Sequence, residues 1–519
     1  MINKESQSSD HLTTASRRGV RMAKVAIALA AAFMLASIAV IISIAVVQTH
    51  KKTYISRGLK YGIVLDAGSS RTTVYLYEWP AEKENNTGVV SETTKCQVEG
   101  PGISDLGKNG DQDKKTWKSL KDCIAKITEA IPSYRHNSTP VFLGATAGMR
   151  LLHMKDEETS NAILKDMKKY LSSLPFNFQN ASIISGQEEG LYGWITVNYL
   201  KGNFLEKNLW NAWVHPHGAE TVGSLDLGGA STQIAFATSD DDKGEDIIKV
   251  SLYGYEYNIY THSFLCYGKN EAEKRVLASI AKKSTDWTNL KHPCYPSGYN
   301  ISMAAEEVFG SECTKNDLPT KYDLKRNITF FGQSKPEQCK ILVRSIFNLT
   351  SCQGAENCSF DGVYQPPVSG DFMAYAGFYW TAWALKVNGS KSMETFNMNM
   401  QAFCSNDWKT LKTSITYIRD IHLKSYCYSA NYVHSILADG YKFNTFNWKN
   451  LNFQKEVNKT SIAWSLGYML TLSNMIPAEG KIIKLPINNV LFTGLLLLFS
   501  ALTIITLTYL VIALVRFCY

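Results

Sequence analysis

The sequence predicts an α/β fold of two related lobes around one cleft, carried between two membrane helices, and three observations point to it. A strand, a tight Gly-rich turn and a second strand occur twice, first as Tyr61-Gly-Ile-Val-Leu-Asp66-Ala-Gly68-Ser69-Ser70-Arg71-Thr72-Thr73-Val74 and again as Gly223-Ser-Leu225-Asp226-Leu-Gly228-Gly229-Ala230-Ser231-Thr232-Gln233-Ile234. One charge-free apolar run lies near each end of the chain, Val25 to Val47 and Val490 to Val515. Between those runs fall ten of the 11 cysteines.

In each copy of the repeated unit a short apolar run reads as a buried strand with an Asp at its end. Glycine lets the following turn bend and come close to a ligand, so backbone amides and Ser/Thr hydroxyls can converge on an anion. The Asp beside such a turn can hold a divalent cation, directly or through its waters. One such turn is weak evidence, since most are ordinary hairpins. Two copies suggest a duplicated unit whose turns face each other across a cleft and grip one polyphosphate. The chain has no G-x-x-x-x-G-K-[ST] loop, so any phosphate grip has to come from the paired turns.

At 519 residues the chain exceeds one hydrophobic core, and two packed domains are expected. The formal charge of +8 does not point to nucleic acid, because part of the excess lies beside the apolar runs and no dense Lys/Arg block occurs elsewhere. Each apolar run is long enough to span a bilayer. A signal peptide would have a shorter core and a small-residue cleavage site, which the first run lacks. Arg17, Arg18, Arg21 and Lys24 precede the first span and Arg516 follows the second, which places both tails in the cytosol, although Lys51 and Lys52 weaken the asymmetry. Residues of about 48 to 488 are then expected outside.

The ten cysteines there (Cys96, Cys123, Cys266, Cys294, Cys313, Cys339, Cys352, Cys358, Cys404 and Cys427) read as five disulfides, and their spacings do not suit zinc. Nine N-x-[ST] sequons share the segment: Asn85, Asn137, Asn180, Asn300, Asn327, Asn348, Asn357, Asn388 and Asn458. Cys518, beside the inner membrane face, is read as a free thiol, with palmitoylation as the alternative.

In chain order, 1–24 reads as an unstructured cytosolic tail, 25–47 as the first span, 490–515 as the second and 516–519 as a second tail. After the first turn and a loop-rich stretch, a helix around Trp117 to Ile131 leads to the strand Val141-Phe-Leu-Gly144-Ala145, which ends in Thr146-Ala147-Gly148-Met149-Arg150. By itself this is a β-to-α turn. A helix near Glu157 to Leu174 and the strand Ala181 to Ile184 follow, then Ser185-Gly186-Gln187-Glu188-Glu189-Gly190. A carboxylate on a turn close to the phosphate turns could orient and deprotonate a water. The competing reading is an acidic pair at a helix N-terminus. Beyond the second turn and an acidic loop at Asp240 to Asp246, the cysteine-bearing region to Cys427 reads as disulfide-stapled helices and insertions. Thr460 to Leu470, with Trp464, reads as a core helix.

Five motif regions, Asp66 to Thr73, Ala145 to Arg150, Ser185 to Trp194, Asp226 to Gln233 and Ile462 to Met469, stand in this order. With the two spans and the cysteine set they make the chain resemble the ectonucleoside triphosphate diphosphohydrolases, the apyrase family, in its cell-surface branch. The resemblance covers essentially the whole chain. It implies two ribonuclease-H-like lobes, as in the actin, sugar-kinase and heat-shock ATPase superfamily, here 58–185 with 456–484 and then 186–455. It implies hydrolysis of nucleoside tri- and diphosphates to monophosphates with Ca²⁺ or Mg²⁺, at the plasma membrane and facing outward, where it would limit purinergic signalling. ATP, ADP, UTP and UDP are the implied substrates, and a homo-oligomer through the spans is left open.

Carried onto this chain, the resemblance makes Glu189 the general base and lets Asp66 and Asp226 hold the metal through its waters. Ser69, Ser70, Arg71, Gly229, Ala230, Ser231 and Gln233 would grip the phosphates, with Thr146 and Ala147 near the water and Trp464 closing the site. These roles suit phosphoryl transfer, which needs positioning and charge neutralisation more than covalent help. Arg71 stands where some members carry His, a position that bears on the balance between tri- and diphosphates. For the nucleobase the matching positions are Trp380, where Tyr is usual, and Tyr426 or its neighbour His422. Stacking tolerates such exchanges and implies broad base specificity, while core packing is the plain alternative for Trp380. The implied disulfides are Cys96–Cys123, Cys266–Cys313, Cys294–Cys339, Cys352–Cys358 and Cys404–Cys427.

Two rival functions are an ATP-dependent kinase of the same superfamily and a non-catalytic receptor ectodomain. The Gln187-Glu188-Glu189 element and the outward, disulfide-bonded location favour water as the acceptor.

Overall fold

The computed structural model describes residues 5–83, 88–106, 110–209, 212–239, 242, 244–284, 286–319, 323–355 and 357–518. It divides into two units, 1–58 with 479–519, and 59–478.

The terminal unit is built on two long helices, Glu5–His50 and Asn489–Cys518. Within the membrane-spanning parts, Arg18–His50 and Asn489–Arg516, the apolar 18-residue stretches have mean hydropathies of 2.8 and 2.5. The two helices pack on each other. At one end the Gln48 side chain donates to the Ile487 carbonyl at 3.1 Å and accepts from its amide at 3.2 Å. Just beyond, Thr53–Ile55 pairs antiparallel with Ile482–Lys484. Two sequence expectations change here. Helix extends from Glu5 through the stretch expected to be an unstructured tail, which contains no proline to stop it. Residues 482–484, expected in the first lobe, form a ribbon strand instead.

The unit 59–478 contains two sheets of matching topology. In the first, β1 (Leu59–Ala67), β2 (Thr72–Pro80), β3 (Ser91–Gln97), β4 (Pro140–Ala145) and β5 (Asn177–Ile183) take the order β3-β2-β1-β4-β5. In the second, β6 (Gly223–Leu227), β7 (Ser231–Ala237), β8 (Ile247–Leu252), β9 (Tyr255–Leu265), β10 (Phe372–Ala376) and β11 (Leu451–Phe453) take the order β8-β9-β7-β6-β10-β11. With β8 set aside as an added edge, the second order repeats the first. The central strands β1 and β6 each have an antiparallel hairpin partner on one side and a parallel strand on the other. Strands in that position are covered on both faces, which is why Ile63, Val64 and Leu65 form an unbroken apolar run and are all fully buried.

Helices clothe both sheets. α1 (Gly110–Glu129) buries Leu120, Cys123, Ile124 and Ile127, which fall on one face of the helix, against the first. α2 (Ala147–Lys155) and α3 (Glu157–Ser172) follow β4, and α4 (Gly186–Lys201) follows β5. α5 (Lys269–Lys282), α6 (Gly377–Ala384) and α7 (Tyr426–Ser435) share a hydrophobic core with the second sheet. α8 (Trp464–Met475) returns to pack on α4, β1 and β2; it begins at Trp464 because Thr460–Ser461 is a hairpin strand paired with Glu456–Val457.

The ten cysteines pair as Cys96–Cys123, Cys266–Cys313, Cys294–Cys339, Cys352–Cys358 and Cys404–Cys427, the set that the resemblance implies. Eight sequon asparagines, Asn137, Asn180, Asn300, Asn327, Asn348, Asn357, Asn388 and Asn458, are exposed, and Asn85 lies outside the described residues. The side chain of Cys518 also lies outside them.

Candidate active site

The duplication sets two aspartates in equivalent places. Asp66 of β1 pairs with Thr73 across its hairpin and with Gly144 of β4; Asp226 of β6 pairs with Gln233 across its hairpin and with Tyr375 of β10. Each Asp therefore stands one residue short of the end of a central strand, with a Gly-rich turn just ahead.

The two turns face each other closely. A Cβ added to Gly229 would lie 2.5 Å from Ser70 Oγ and 2.6 Å from Ser69 Oγ, so the second turn comes up against both hydroxyls of the first. Asn270, in the first turn of α5, donates its amide to Ser70 Oγ at 3.2 Å and its backbone N–H to the Gly229 carbonyl at 2.9 Å. Behind the second turn, Gly268 is equally committed: its Cβ would strike Ala230 N at 2.3 Å. The Lys269 amide closes this corner by donating to the Gly228 carbonyl at 2.8 Å.

Glu188 and Glu189 have separate fates at the start of α4. Ser185 and Glu188 form a reciprocal capping box, with Glu188 N–H donating to Ser185 Oγ at 3.1 Å and Ser185 N–H to Glu188 Oε2 at 2.8 Å. One residue on, about 100° round the helix, Glu189 turns inward and is buried. Its Oε2 accepts from the Arg150 guanidinium and from Gln233 Nε2 at 2.9 Å. Gln233 Nε2 also reaches Ser231 Oγ (2.7 Å) and Ser263 Oγ (2.9 Å), and Arg150 reaches the same two hydroxyls at 3.3 Å. The base candidate is thus held by residues of α2, β7 and β9.

The three carboxylates lie within electrostatic reach of one another. Burial raises Glu189 to about 7; the charge of Arg150 opposes the rise and that of Asp66 adds to it. Burial raises Asp66 to about 6 against the Trp464 indole and Arg71. Asp226 is pushed well above the usual carboxylate range by burial, then by Glu189 and Asp66, with Arg71 opposing. Such mutual repulsion in a buried cleft is the setting that a hydrated divalent cation relieves. Among the described residues no three acidic, His or Cys side chains converge closely enough to bind a metal directly. Asp66 and Asp226 are two buried carboxylates at the ends of equivalent strands, a donor pair whose chemistry suits a hydrated divalent cation. Among the described residues the buried polar atoms Gln233 Oε1, Arg150 Nε and Trp464 Nε1 beside it have no hydrogen-bond partner.

Thr146 and Ala147 are buried at the β4-to-α2 turn, where the Thr146 N–H donates to the Ala67 carbonyl at 3.1 Å at the end of β1. The turn is tied to the first loop, since a Cβ on Gly148 would meet Ser69 Cα at 2.7 Å. Trp464, the first residue of α8, lays its indole on Gly144, whose Cβ would lie 2.3 Å from Trp464 Cη2. It stands next to Asp66 because Gly144 is the β4 partner of Asp66.

The nucleobase candidates separate. Trp380 on α6 is 43 % exposed and meets Trp383 edge to face, so core packing does not account for it. His422 is exposed, takes a hydrogen-bond contact from Arg419 at 3.1 Å, and is lowered by burial and then by the charge of Lys269. Tyr426 is 7 % exposed and packs in the hydrophobic core of the second sheet; it opens α7, whose residues from Tyr426 to Ser435 are all buried. The sequence reading passed over Asn270, Ser263 and the role of Arg150. Arg150 ended a motif already singled out, whereas Asn270 and Ser263 carry no local signal and reach the site only through tertiary packing.

The family model described as GDA1/CD39 (nucleoside phosphatase) matches residues 53–485. The chain is 53 % identical over 479 residues to human ectonucleoside triphosphate diphosphohydrolase 3, covering 92 % of this chain and 90 % of that one. It is 41 % identical over 476 residues to mouse ectonucleoside triphosphate diphosphohydrolase 1, covering 90 % and 91 %. Among solved structures, a nucleoside triphosphate hydrolase from Neospora caninum matches with a TM-score of 0.53 at 15 % identity, over 80 % of this chain and 92 % of that one, a likeness of fold. The match over nearly the whole chain, together with the duplicated sheets and the turns they bring together, makes this chain a member of the GDA1/CD39 (nucleoside phosphatase) family.

Proposed function

We propose that the chain is an ectonucleoside triphosphate diphosphohydrolase of apyrase type, removing the terminal phosphate of nucleoside tri- and then diphosphates by attack of water. The observation that carries this reading is the inward placement of Glu189 beside Asp66, Asp226 and the paired turns. A carboxyl raised to about 7 is matched to taking a proton from water near neutral pH. Arg150 and Gln233 fix its orientation.

Ser69, Ser70 and Arg71 on one side and Gly229, Ala230, Ser231 and Gln233 on the other grip the phosphates, with Thr146 and Ala147 near the attacking water. Asp66 and Asp226 would hold Ca²⁺ or Mg²⁺ through its waters, and the cation when bound would neutralise phosphate charge. Trp464 closes the site beside Asp66. Trp380, with His422 as its partner, stacks the base and accepts purines and pyrimidines alike, including ATP, ADP, UTP and UDP. Lobe boundaries near residues 185 and 455 place the phosphate turns one in each lobe. Five disulfides and eight exposed sequons support an outward catalytic unit at the plasma membrane, where it ends nucleotide signals.

The test is phosphate release from ATP and ADP added to intact cells expressing the full chain, with Ca²⁺ or Mg²⁺ and with chelator. Release that needs the divalent cation and falls roughly 10²–10⁴-fold in Glu189→Gln is expected. A phosphorylated sugar or polyol in place of free phosphate, or release untouched by the substitution, overturns the reading.

A further inference from the structure

Gln187 lies two residues before Glu189, in the first turn of α4, and its side chain is held by an anchor outside the cleft. Gln187 Nε2 donates to Asp246 Oδ1 at 2.8 Å and to the Glu245 carbonyl at 3.3 Å. The other carboxylate oxygen, Asp246 Oδ2, lies 2.8 Å from His262 Nδ1. The backbone completes the clasp: the Thr261 N–H donates to the Asp246 carbonyl at 2.8 Å, and Thr261 Oγ1 donates to the Gln187 carbonyl at 3.1 Å.

The neighbouring residue of β9 serves the reaction centre itself, since Ser263 Oγ accepts from both Gln233 and Arg150, the two groups that hold Glu189. Three consecutive residues, Thr261, His262 and Ser263, therefore tie the first turn of α4 to β9 from both sides of the helix start. The approach is close enough to exclude side chains at two helix positions. A Cβ on Gly186 would lie 2.3 Å from Ser263 Cβ, and one on Gly190 would lie 2.4 Å from Thr261 Oγ1. Carboxylates are favoured at helix N-termini, so Asp246 is bound there by charge as well as by its two partners.

We propose that Asp246 and His262 are positioning residues for catalysis: with Gln187 they form a latch that sets the first turn of α4 and hence the aim of Glu189. Among the described residues the latch makes no hydrogen bond to either phosphate turn, so it acts on the chemical step and leaves substrate binding alone. A misplacement of about 1 Å in a reacting group costs on the order of 10²-fold, and a loosened helix turn held still by Arg150 and Gln233 costs less.

The inference rests on Glu189 as the base, and the experiment separates the two. Phosphate release by the full-length, disulfide-bonded protein is measured for Asp246→Ala, Gln187→Ala and Asp246→Asn, each alone and with Glu189→Gln. Expected are a fall in kcat of about tenfold for both alanine variants with KM within about twofold, and recovery of most of the rate in Asp246→Asn, which keeps an oxygen for Gln187. In the Glu189→Gln background Asp246→Ala is expected to have no further effect, because its route to the chemistry is already cut. A full tenfold fall in that background, or a rise in KM with kcat unchanged, overturns the latch, as does an unaltered kcat in Asp246→Ala. If Glu189→Gln itself keeps the wild-type rate, the assignment of the base is what fails.

Discussion

Replacing Glu189 by glutamine is expected to make the protein more stable while removing its activity, and the stability gain should grow with pH. Burial lifts this carboxyl from 4.5 to about 7. A carboxyl raised in the folded state contributes stability that is complete below its unfolded value and is lost as pH rises through its folded value. Holding Glu189 in this burial therefore costs about 3 kcal/mol at pH 8.5, where it ionises in place, and roughly 1 kcal/mol at pH 5.5, where it keeps a proton that the unfolded chain would release. Glutamine has the shape of the protonated acid. It can still accept from Arg150 and Gln233, so the variant avoids the cost without leaving them unpaired. For a cooperative unit of roughly 400 residues the unfolding entropy is about 0.8 kcal/mol/K, which turns these energies into gains of about 4 °C at pH 8.5 and about 1 °C at pH 5.5. Scanning calorimetry of the two proteins in detergent with chelator, at both pH values, reads the difference directly. A glutamine variant that melts lower than wild type at pH 8.5, or by the same margin at both pH values, would refute the reasoning that this acid is held at a cost for its chemistry.

Asp226→Asn takes a carboxyl out of the same repelling group and is expected to raise the melting temperature by a margin that grows with pH, while phosphate release falls at least about a hundredfold and no longer rises with added Ca²⁺ or Mg²⁺. Gly144→Ala would drive a methyl group into Trp464 at 2.3 Å; a loss of about 1–3 kcal/mol, with quenching or shift of the Trp464 fluorescence against a Trp464→Phe control, is the expected result. Changing Cys96 and Cys123 together to serine opens a loop with a sequence separation of 27 and should lower stability by about 3 kcal/mol, seen as a lower denaturant midpoint for phosphate release. Trp380→Ala is expected to raise KM for ATP and UTP alike, by about 1–3 kcal/mol of lost stacking, with kcat near wild type.

The parts of this site that were legible in the sequence are those whose chemistry is local. A strand that ends in Asp and a Gly-rich turn needs only neighbouring residues to be recognised, and its recurrence at Asp226 implied the second sheet before the pairing of Asp66 with Thr73 and of Asp226 with Gln233 made the correspondence exact in register. The spans were equally plain, because apolar length is a local property. What stayed hidden depends on contacts between distant stretches: Ser263 reaches Arg150 across 113 residues of chain, and Asn270 reaches Ser70 across 200. The burial of Tyr426 was hidden for the same reason, since an aromatic at the head of a helix reads alike whether its ring faces a cleft or a core.

The Glu188-Glu189 pair lies between these cases. Read as a pair, two adjacent acids fit either a capped helix N-terminus or a catalytic turn, and the structure assigns one acid to each use. The information was present: Ser185-Gly186-Gln187-Glu188 has the S-x-x-E spacing of a capping box, which commits Glu188 to the Ser185 amide. Once the cap fixes the helix phase, the next residue falls about 100° away. On α4 that direction faces Gln233 and Arg150 rather than solvent. The cap thus does more than satisfy an orphan amide. By fixing where the helix begins it selects which of two identical side chains is buried, so Ser185→Ala, although it costs only about 1 kcal/mol in helix stability, should lower kcat as well by letting the first turn and Glu189 lose their phase.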